Sequence, residues 1–282
     1  MAAGRGSRFG GIKQLEPVGP SGEVLFDYSV YDATRAGFDE VVFVVSDESR
    51  APVEAHAGDG CGRHVKARFA LQQVPEGRQK PWGTGQAVLC GAADLDRSFG
   101  VVNADDFYGA ASFALLAQCL ADPSPAHTLV GFRLLDSLSP NGGVSRGLCR
   151  TDGAGRLTAI TELHDVAAGP GGPGGGGVTN REGVALTGDE LISANLWGFR
   201  PSFPGVLAAE FQAFRAARDD DPDAEFLIGD AVMIVTCPDR EGVRVVPTPE
   251  PFLGITYRAD VADVRHTIAE RVGAGQYPSP LW

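Results

Sequence analysis

AAGRGSRFGGIKQLEPVG, residues 2–19, interleaves Gly4, Gly6, Gly10 and Gly11 with Arg5, Arg8 and Lys13. A turn needs one or two glycines, and a solvated surface has no use for glycines between its charges. The combination describes backbone held close to a phosphate chain. Glycine lets N–H groups approach an anion with no Cβ in the way, and arginine and lysine neutralise its charge. Two phosphate-loop patterns fail on this stretch. A P-loop needs GxxxxGK and then Ser or Thr, whereas Gly6 is followed by Ser7 and Lys13 is preceded by Ile12. A dinucleotide fingerprint needs a third glycine where Phe9 stands.

Downstream, the pattern over 23–45 reads helix, turn, strand. Phe26, Val30, Ala33 and Gly37 fall at helical spacing, Gly37 at the end, and EVVFVV (40–45) is a continuous apolar run suited to a strand covered on both faces. FGVVNADD (99–106) is a short apolar strand ending in carboxylates, and further strands are expected at 128–134, 143–149, 157–163 and 242–248. Helices are expected at 84–93, 111–121, 203–217 and 258–272, the last with Asp260 as N-cap and Gly273 just past its end. Strands alternating with helices predict an α/β layer architecture with a mainly parallel sheet, with 128–163 an inserted or mixed-sheet region. AAGPGGPGGGGVTN (167–180) has nothing apolar to bury and reads as a flexible surface loop inside a single domain, 1–282.

The formal net charge of -12 excludes an overall basic footprint for nucleic acid, though a local patch can still hold phosphate. Five widely spaced cysteines form no CxxC pair, and the histidines show no metal-binding spacing. No apolar run approaches eighteen residues and no signal peptide is visible, so a cytoplasmic protein with no membrane partner is expected. The closing YPSPLW (277–282) is apolar enough to pack on the body or on a second subunit of a homo-oligomer.

The opening, continued through GPSGEVLFDYSVYDATRAGFDEVVFVV to residue 45, resembles the signature region of the sugar-phosphate nucleotidylyltransferases. In that family a strand ends in LAAGxGxR, followed by a lysine, a P-V-G turn, a helix and a strand. Five more segments follow in the family's order. PWGTGQAVLCGA (81–92) resembles the loop and helix that close over the nucleotide base, and VVNADDFYG (101–109) the strand end bearing a metal aspartate. LTAITEL (157–163) resembles the strand with a sugar-contacting glutamate, ANLWGF (194–199) the strand closing the sugar pocket, and EFLIGDAV (225–232) the second metal aspartate.

The resemblance implies a Rossmann-like three-layer nucleotide-diphospho-sugar transferase (GT-A-like) fold. It implies a magnesium-dependent enzyme that joins a nucleoside triphosphate to a sugar 1-phosphate or similar acceptor and releases pyrophosphate. Arg8 and Lys13 would be catalytic. Ala3, Gly4, Gly6, Ser7, Gly83, Thr84 and Gln86 would bind nucleotide. Glu162, Asn195 and Arg146 would meet the acceptor, and Asp105 and Asp230 would hold Mg2+, with Asp106 competing for the first place. Such transfer asks little covalent work of the protein, only positioning and charge neutralisation.

Three departures qualify the match. Ile12 replaces the proline common before the lysine. Glu162 is followed by Leu163 and His164 where the family has a second, phosphate-holding lysine, and Arg146 and Arg258 are the nearest substitutes. The first strand of the family pattern is missing ahead of AAG, which predicts a chain truncated at its N-terminus and an unpaired slot in the sheet. Structural readings stay open beside the functional ones. Asp105 and Asp106 also suit a turn, Asp230 a helix cap, Glu162 a solvated strand face, and Trp82 and Trp197 a core. A glycosyltransferase and a non-catalytic nucleotide-binding relative are the rival functions, the first disfavoured because NADD is not a D-x-D motif.

Overall fold

Helices α1 (Leu25–Arg35), α2 (Asp47–Asp59), α3 (Thr84–Ala92) and α4 (Ala110–Ala121) alternate with strands β1 (Glu40–Val45), β2 (Lys66–Leu71), β3 (Phe99–Val101) and β4 (Asp106–Phe107). A strand-rich stretch follows: β5 (His127–Arg133), β6 (Val144–Thr151), β7 (Leu157–Ala168), β8 (Val178–Thr179) and β9 (Leu191–Phe199). Helices α5 (Phe203–Arg218) and α6 (Ile228–Val235), strands β10 (Val243–Pro247) and β11 (Leu253–Gly254), and α7 (Asp260–Gly273) complete the chain. This computed structural model describes residues 1–4, 9, 11–169, 177–235 and 241–282.

The main sheet runs β10-β5-β9-β6-β7-β8, with β3 also paired to β9. It is mixed, but not mainly parallel: among the described strands, parallel pairing is confined to β1–β2 and β10–β5. The reason is chain length between strands. A parallel neighbour needs a crossover of a dozen or more residues, and β6 and β7 are joined by a turn of five. The two faces of the sheet carry separate cores. Leu129, Trp197 and Phe199 pack with α3, α5 and α6, whereas Val130, Phe132, Ile192 and Leu196 pack with Phe113 and Leu116 of α4. Helix, sheet, helix is the expected three-layer arrangement. Trp197 and Phe199 are wholly buried, each worth about 1.5–3 kcal/mol on transfer, so Trp197 is a core aromatic.

Helix α2 and strand β2 escaped the sequence pattern. Pro52 stands inside α2, which argues against a helix on sequence grounds. The helix is set instead by Ser46, whose hydroxyl accepts from the Ser49 N–H while Ser49 Oγ accepts from the Ser46 N–H. In α7, Asp260 is the first helical residue rather than the cap, yet its carboxylate accepts from the N–H groups of Thr256 and Tyr257. The ends of the 167–180 segment are strand, with Ala167 opposite Thr179 and Ala168 opposite Val178; residues 170–176 of the expected loop lie outside the described residues.

At the start of the chain, the Ala2 N–H donates to the Val44 carbonyl at 2.7 Å, and the Met1 carbonyl accepts from the Ala104 N–H at 3.0 Å. Residues 1–2 thus lie between the end of β1 and the segment that follows β3. Along the rest of those two strands lies an apolar cavity of about 530 Å³, lined among others by Phe38, Val41, Phe43, Phe99, Val101 and Leu116. The C-terminal tail packs on the body: Tyr277 and Leu281 are buried, and the Trp282 ring meets Tyr31 edge-on and stacks on His64.

Candidate active site

Lys13 opens a short 3-10 turn, Lys13–Leu15, directly after the glycine-rich stretch. Its ammonium pairs with the Asp105 carboxylate and donates to the Ile255 carbonyl at 3.4 Å. Ile255 is itself tied to this turn, its N–H donating to the Asp105 carbonyl at 3.3 Å, while β11 pairs antiparallel with β4. Burial works against the Lys13 charge, but Asp105, by attraction and direct contact, and then Asp106 outweigh it and hold the ammonium above its ordinary pKa. Two residues 92 positions apart, chosen on separate motifs, therefore meet.

Asp106 points inward and is 8% exposed. Burial first, then repulsion from Asp105, pushes its carboxyl's pKa up, against the pull of Asn103, Lys13 and Arg146. Its Oδ2 accepts from Asn103 Nδ2 at 2.9 Å. Tyr108 completes the turn: its hydroxyl accepts from the Asn103 N–H at 3.0 Å and donates to the Ala194 carbonyl at 2.9 Å. The next residue is Asn195, whose φ of +61° is one of two positive values on described non-glycine residues. Such strain costs about 1–3 kcal/mol and persists where surrounding structure imposes it; the Tyr108 bond and a bond from Trp197 Nε1 to Asn195 Oδ1 do so here. Asn103 and Tyr108 were not singled out from sequence, although the aromatic two places after the buried aspartate in NADDFYG was the available signal.

A second bonded unit joins two distant segments. The Gly85 N–H donates to the Phe226 carbonyl at 2.8 Å, the Phe226 N–H donates to the Trp82 carbonyl, and Thr84 Oγ1 accepts from the Ile228 N–H at 2.9 Å. The hydroxyl of Thr84 thereby serves the first residue of α6, the helix that carries Asp230. Glycine is required at 83, where φ is +105° and a Cβ would stand 3.0 Å from the Phe226 carbonyl oxygen. Gln86 is spent within this unit: its Oε1 accepts from the Trp82 N–H and from Gln72 Nε2, and its Nε2 donates to the Gln73 carbonyl. Trp82 is a core residue, 2% exposed, with the Arg78 guanidinium 3.5 Å from its ring centre.

A third unit is the β9–β6–β7 stretch, where Ser193, Gly147 and Glu162 lie in one row across the strands. A Cβ on Gly147 would stand 3.5 Å from Glu162 Oε2. Glu162 is exposed. Desolvation raises its pKa, with His164 and Arg146 opposing and Asp230 and Glu182 adding to the rise. Asp230 is likewise raised by burial and bears no hydrogen bond or ion pair among the described residues. Field effects thus run from Lys13 and Asp105 through Asp106 and Arg146 to Glu162 and Asp230. Arg146 is heavily committed: Nε donates to Ser137 Oγ at 3.1 Å, Nη1 to the Ser145 carbonyl at 2.8 Å, Nη2 to the Ser137 carbonyl, and the group faces the Phe252 ring.

Of the expected nucleotide-loop residues, Ala3 is buried and the Gly4 carbonyl accepts from Gln14 Nε2 at 2.7 Å. Gly6, Ser7 and Arg8 lie outside the described residues. No cluster of three or more histidine, cysteine, aspartate or glutamate side chains suited to a metal is found among the described residues. Magnesium does not need one, since it binds through one or two carboxylates completed by water and substrate phosphate. Of the two expected ligands, Asp105 is paired with Lys13, whereas Asp230 bears no hydrogen bond or ion pair among the described residues.

Residues 1–131 match the family model of a MobA-like NTP transferase domain. The chain is 26% identical over 278 residues to a bifunctional protein GlmU of Maricaulis maris (strain MCS10), covering 96% of this chain and 52% of that one. It therefore spans about half the length of that curated relative. Among solved structures, it resembles a putative glucose-1-phosphate thymidylyltransferase from Bacillus anthracis in complex with a sucrose, with a TM-score of 0.67 at 13% identity, covering 95% and 92% of the two chains. The inositol-1-phosphate CTP transferase from T. maritima gives a TM-score of 0.66 at 13% identity, covering 95% and 94%. No described helix is long and apolar enough to cross a membrane.

Proposed function

We propose that this chain is a member of the sugar-phosphate nucleotidylyltransferases and transfers a nucleoside monophosphate from a nucleoside triphosphate to a sugar 1-phosphate or similar phosphorylated acceptor, a reading supported by the match of residues 1–131 to a MobA-like NTP transferase domain and by the GlmU relative. The acceptor's phosphate oxygen attacks the α-phosphorus, the bond to the β-phosphate oxygen breaks in line, and pyrophosphate leaves. The observation that carries this reading is the meeting of Lys13 with Asp105; the bonding of the 82–86 loop to the segment leading to Asp230 supports it.

Lys13 is held charged, and it meets the negative charge that builds on the phosphoryl group as the new bond forms. The backbone of Ala3 and Gly4, with the glycines that follow, approaches the triphosphate. The 82–86 loop gives the nucleotide a rigid wall, because its own donors are satisfied within the protein. Glu162 accepts hydrogen bonds from acceptor hydroxyls, and Asn195, held by its neighbours, orients the acceptor beside it. Asp105 and Asp230 would hold Mg2+, which supplies charge neutralisation between the two phosphate groups when bound.

Pyrophosphate release tests this, with each common nucleoside triphosphate against a panel of sugar 1-phosphates, with and without magnesium. Magnesium-dependent release with a particular pairing, lost in Asp105→Ala, is the expected result. Triphosphate binding with no release across the panel would instead favour a nucleotide-binding relative without catalysis.

A further inference from the structure

Two arginines, Arg146 and Arg258, are the substitutes the sequence offers for the second phosphate-holding lysine of the family pattern, and the fold treats them differently. Arg146 has its Nε and both terminal nitrogens engaged with Ser137 and Ser145, and it braces the segment before β6. Arg258 is exposed, and one hydrogen bond is recorded for its guanidinium, a long one of 3.4 Å from Nη1 to the Phe9 carbonyl. Its charge lies 5.3 Å from the centre of the Phe9 ring. It has no carboxylate partner among the described residues. The other arginines of the C-terminal segment do: Arg265 pairs with Glu16 and Arg271 with Glu250.

The backbone leading to Arg258 is pinned at two points. Ile255 bonds to Asp105 and Lys13. The Tyr257 N–H donates to Asp260 Oδ2 at 2.6 Å and the Tyr257 hydroxyl to the Gly143 carbonyl at 2.6 Å. Asp260, the nearest carboxylate in sequence, is occupied by Thr256, Tyr257, Ser139 and Asn141. A guanidinium with five N–H donors is thus set on a fixed stalk beside Phe9, four of its donors without a partner among the described residues. Holding such a group by a single carbonyl leaves most of its binding capacity for an anion.

We infer that Arg258 is a substrate-binding residue for the triphosphate of the nucleotide, acting from the C-terminal segment beside Phe9. This rests on the nucleotidyl-transfer reading of the same site. A planar fork suits two oxygens of adjacent phosphates, a geometry that a lysine in its place would not reproduce.

Calorimetric titration with inorganic tripolyphosphate, without magnesium, separates the possibilities in wild type, Arg258→Gln and Arg258→Lys, each shown folded by its melting temperature. The expected result is wild-type binding weakened about tenfold to a hundredfold in Arg258→Gln, with Arg258→Lys between them. In turnover, KM for the triphosphate rises while KM for the acceptor stays put. Equal tripolyphosphate affinity in wild type and Arg258→Gln overturns the role of Arg258 alone. A wild-type chain that binds no tripolyphosphate, with or without magnesium, likewise overturns the role of Arg258, whereas the nucleotidyl-transfer reading falls only if pyrophosphate release is absent across the panel.

Discussion

Asp32→Asn isolates a buried proton and gives it a measurable pH signature. Asp32 lies in α1 at 3% exposure, and its Oδ2 accepts from the Tyr277 hydroxyl at 2.7 Å while Oδ1 has no partner. Burial raises its pKa from 3.8 to about 7, against the pull of the Tyr277 bond, Arg271 and Arg35 and with the push of Glu250. Between those two values the folded chain keeps a proton that the unfolded chain has released. Unfolding free energy therefore falls as pH rises: the contribution is complete below the unfolded value and lost as pH passes through about 7. A displacement of roughly three units corresponds to about 4 kcal/mol over the full range. Asparagine keeps the shape and the acceptor for Tyr277 but cannot ionise. Urea unfolding at pH 5, 6, 7 and 8 should show the stability of Asp32→Asn over wild type widening by about 2–3 kcal/mol from the lowest pH to the highest. A gap that stays constant across that range refutes the buried-proton argument.

Lys13→Met removes the cation matched to Asp105, and should lower kcat/KM in the pyrophosphate assay on the order of a hundredfold or more, as loss of one preorganised donor does. Gln86→Ala should leave the preference among nucleoside triphosphates unchanged, since both ends of that amide are engaged within the protein, while lowering stability by about 1 kcal/mol for the lost bonds; a switch in base preference, read by competing the four triphosphates, would show the side chain contacting the base. Gly85→Ala sets a Cβ against the Phe226 ring, an overpacking worth about 1–3 kcal/mol, visible as a lower melting temperature and a higher KM for the triphosphate.

Apolar runs were the most legible part of this chain. EVVFVV announces itself as an apolar run and forms β1 whole, whereas FGVVNADD is strand only over Phe99–Val101 and again from Asp106, with Asp105 in the turn between β3 and β4. What a run of residues does not encode locally is its pairing partner. The 128–199 strands are antiparallel because short turns join some of them and the long return through β9 inserts between β5 and β6, and neither fact is written in the periodicity of a single strand. Helix α2 was missed for the opposite reason: a local signal, Pro52, points away from helix, and the reciprocal Ser46–Ser49 cap together with packing on β1 and β2 overrides it.

Side-chain availability was the least legible property, and it bears most on function. Gln86 and Arg146 have the hydrogen-bonding groups a substrate contact wants, and the sequence gives no hint that the fold consumes them. Asp230 and Arg258 have no stronger sequence claim, yet among the described residues one carboxylate is left without a partner and one guanidinium with a single long bond. The difference arises because a donor inside a loop finds nearby carbonyls of its own chain, as Arg146 does with Ser137 and Ser145, whereas Arg258 stands on a stalk whose neighbouring carboxylate is saturated by backbone and side-chain donors. Leaving a charge unpaired forgoes stability the fold could have taken. Such residues are where binding an anion or a cation would return the most free energy, and they rank above the equally polar residues that the fold has already satisfied.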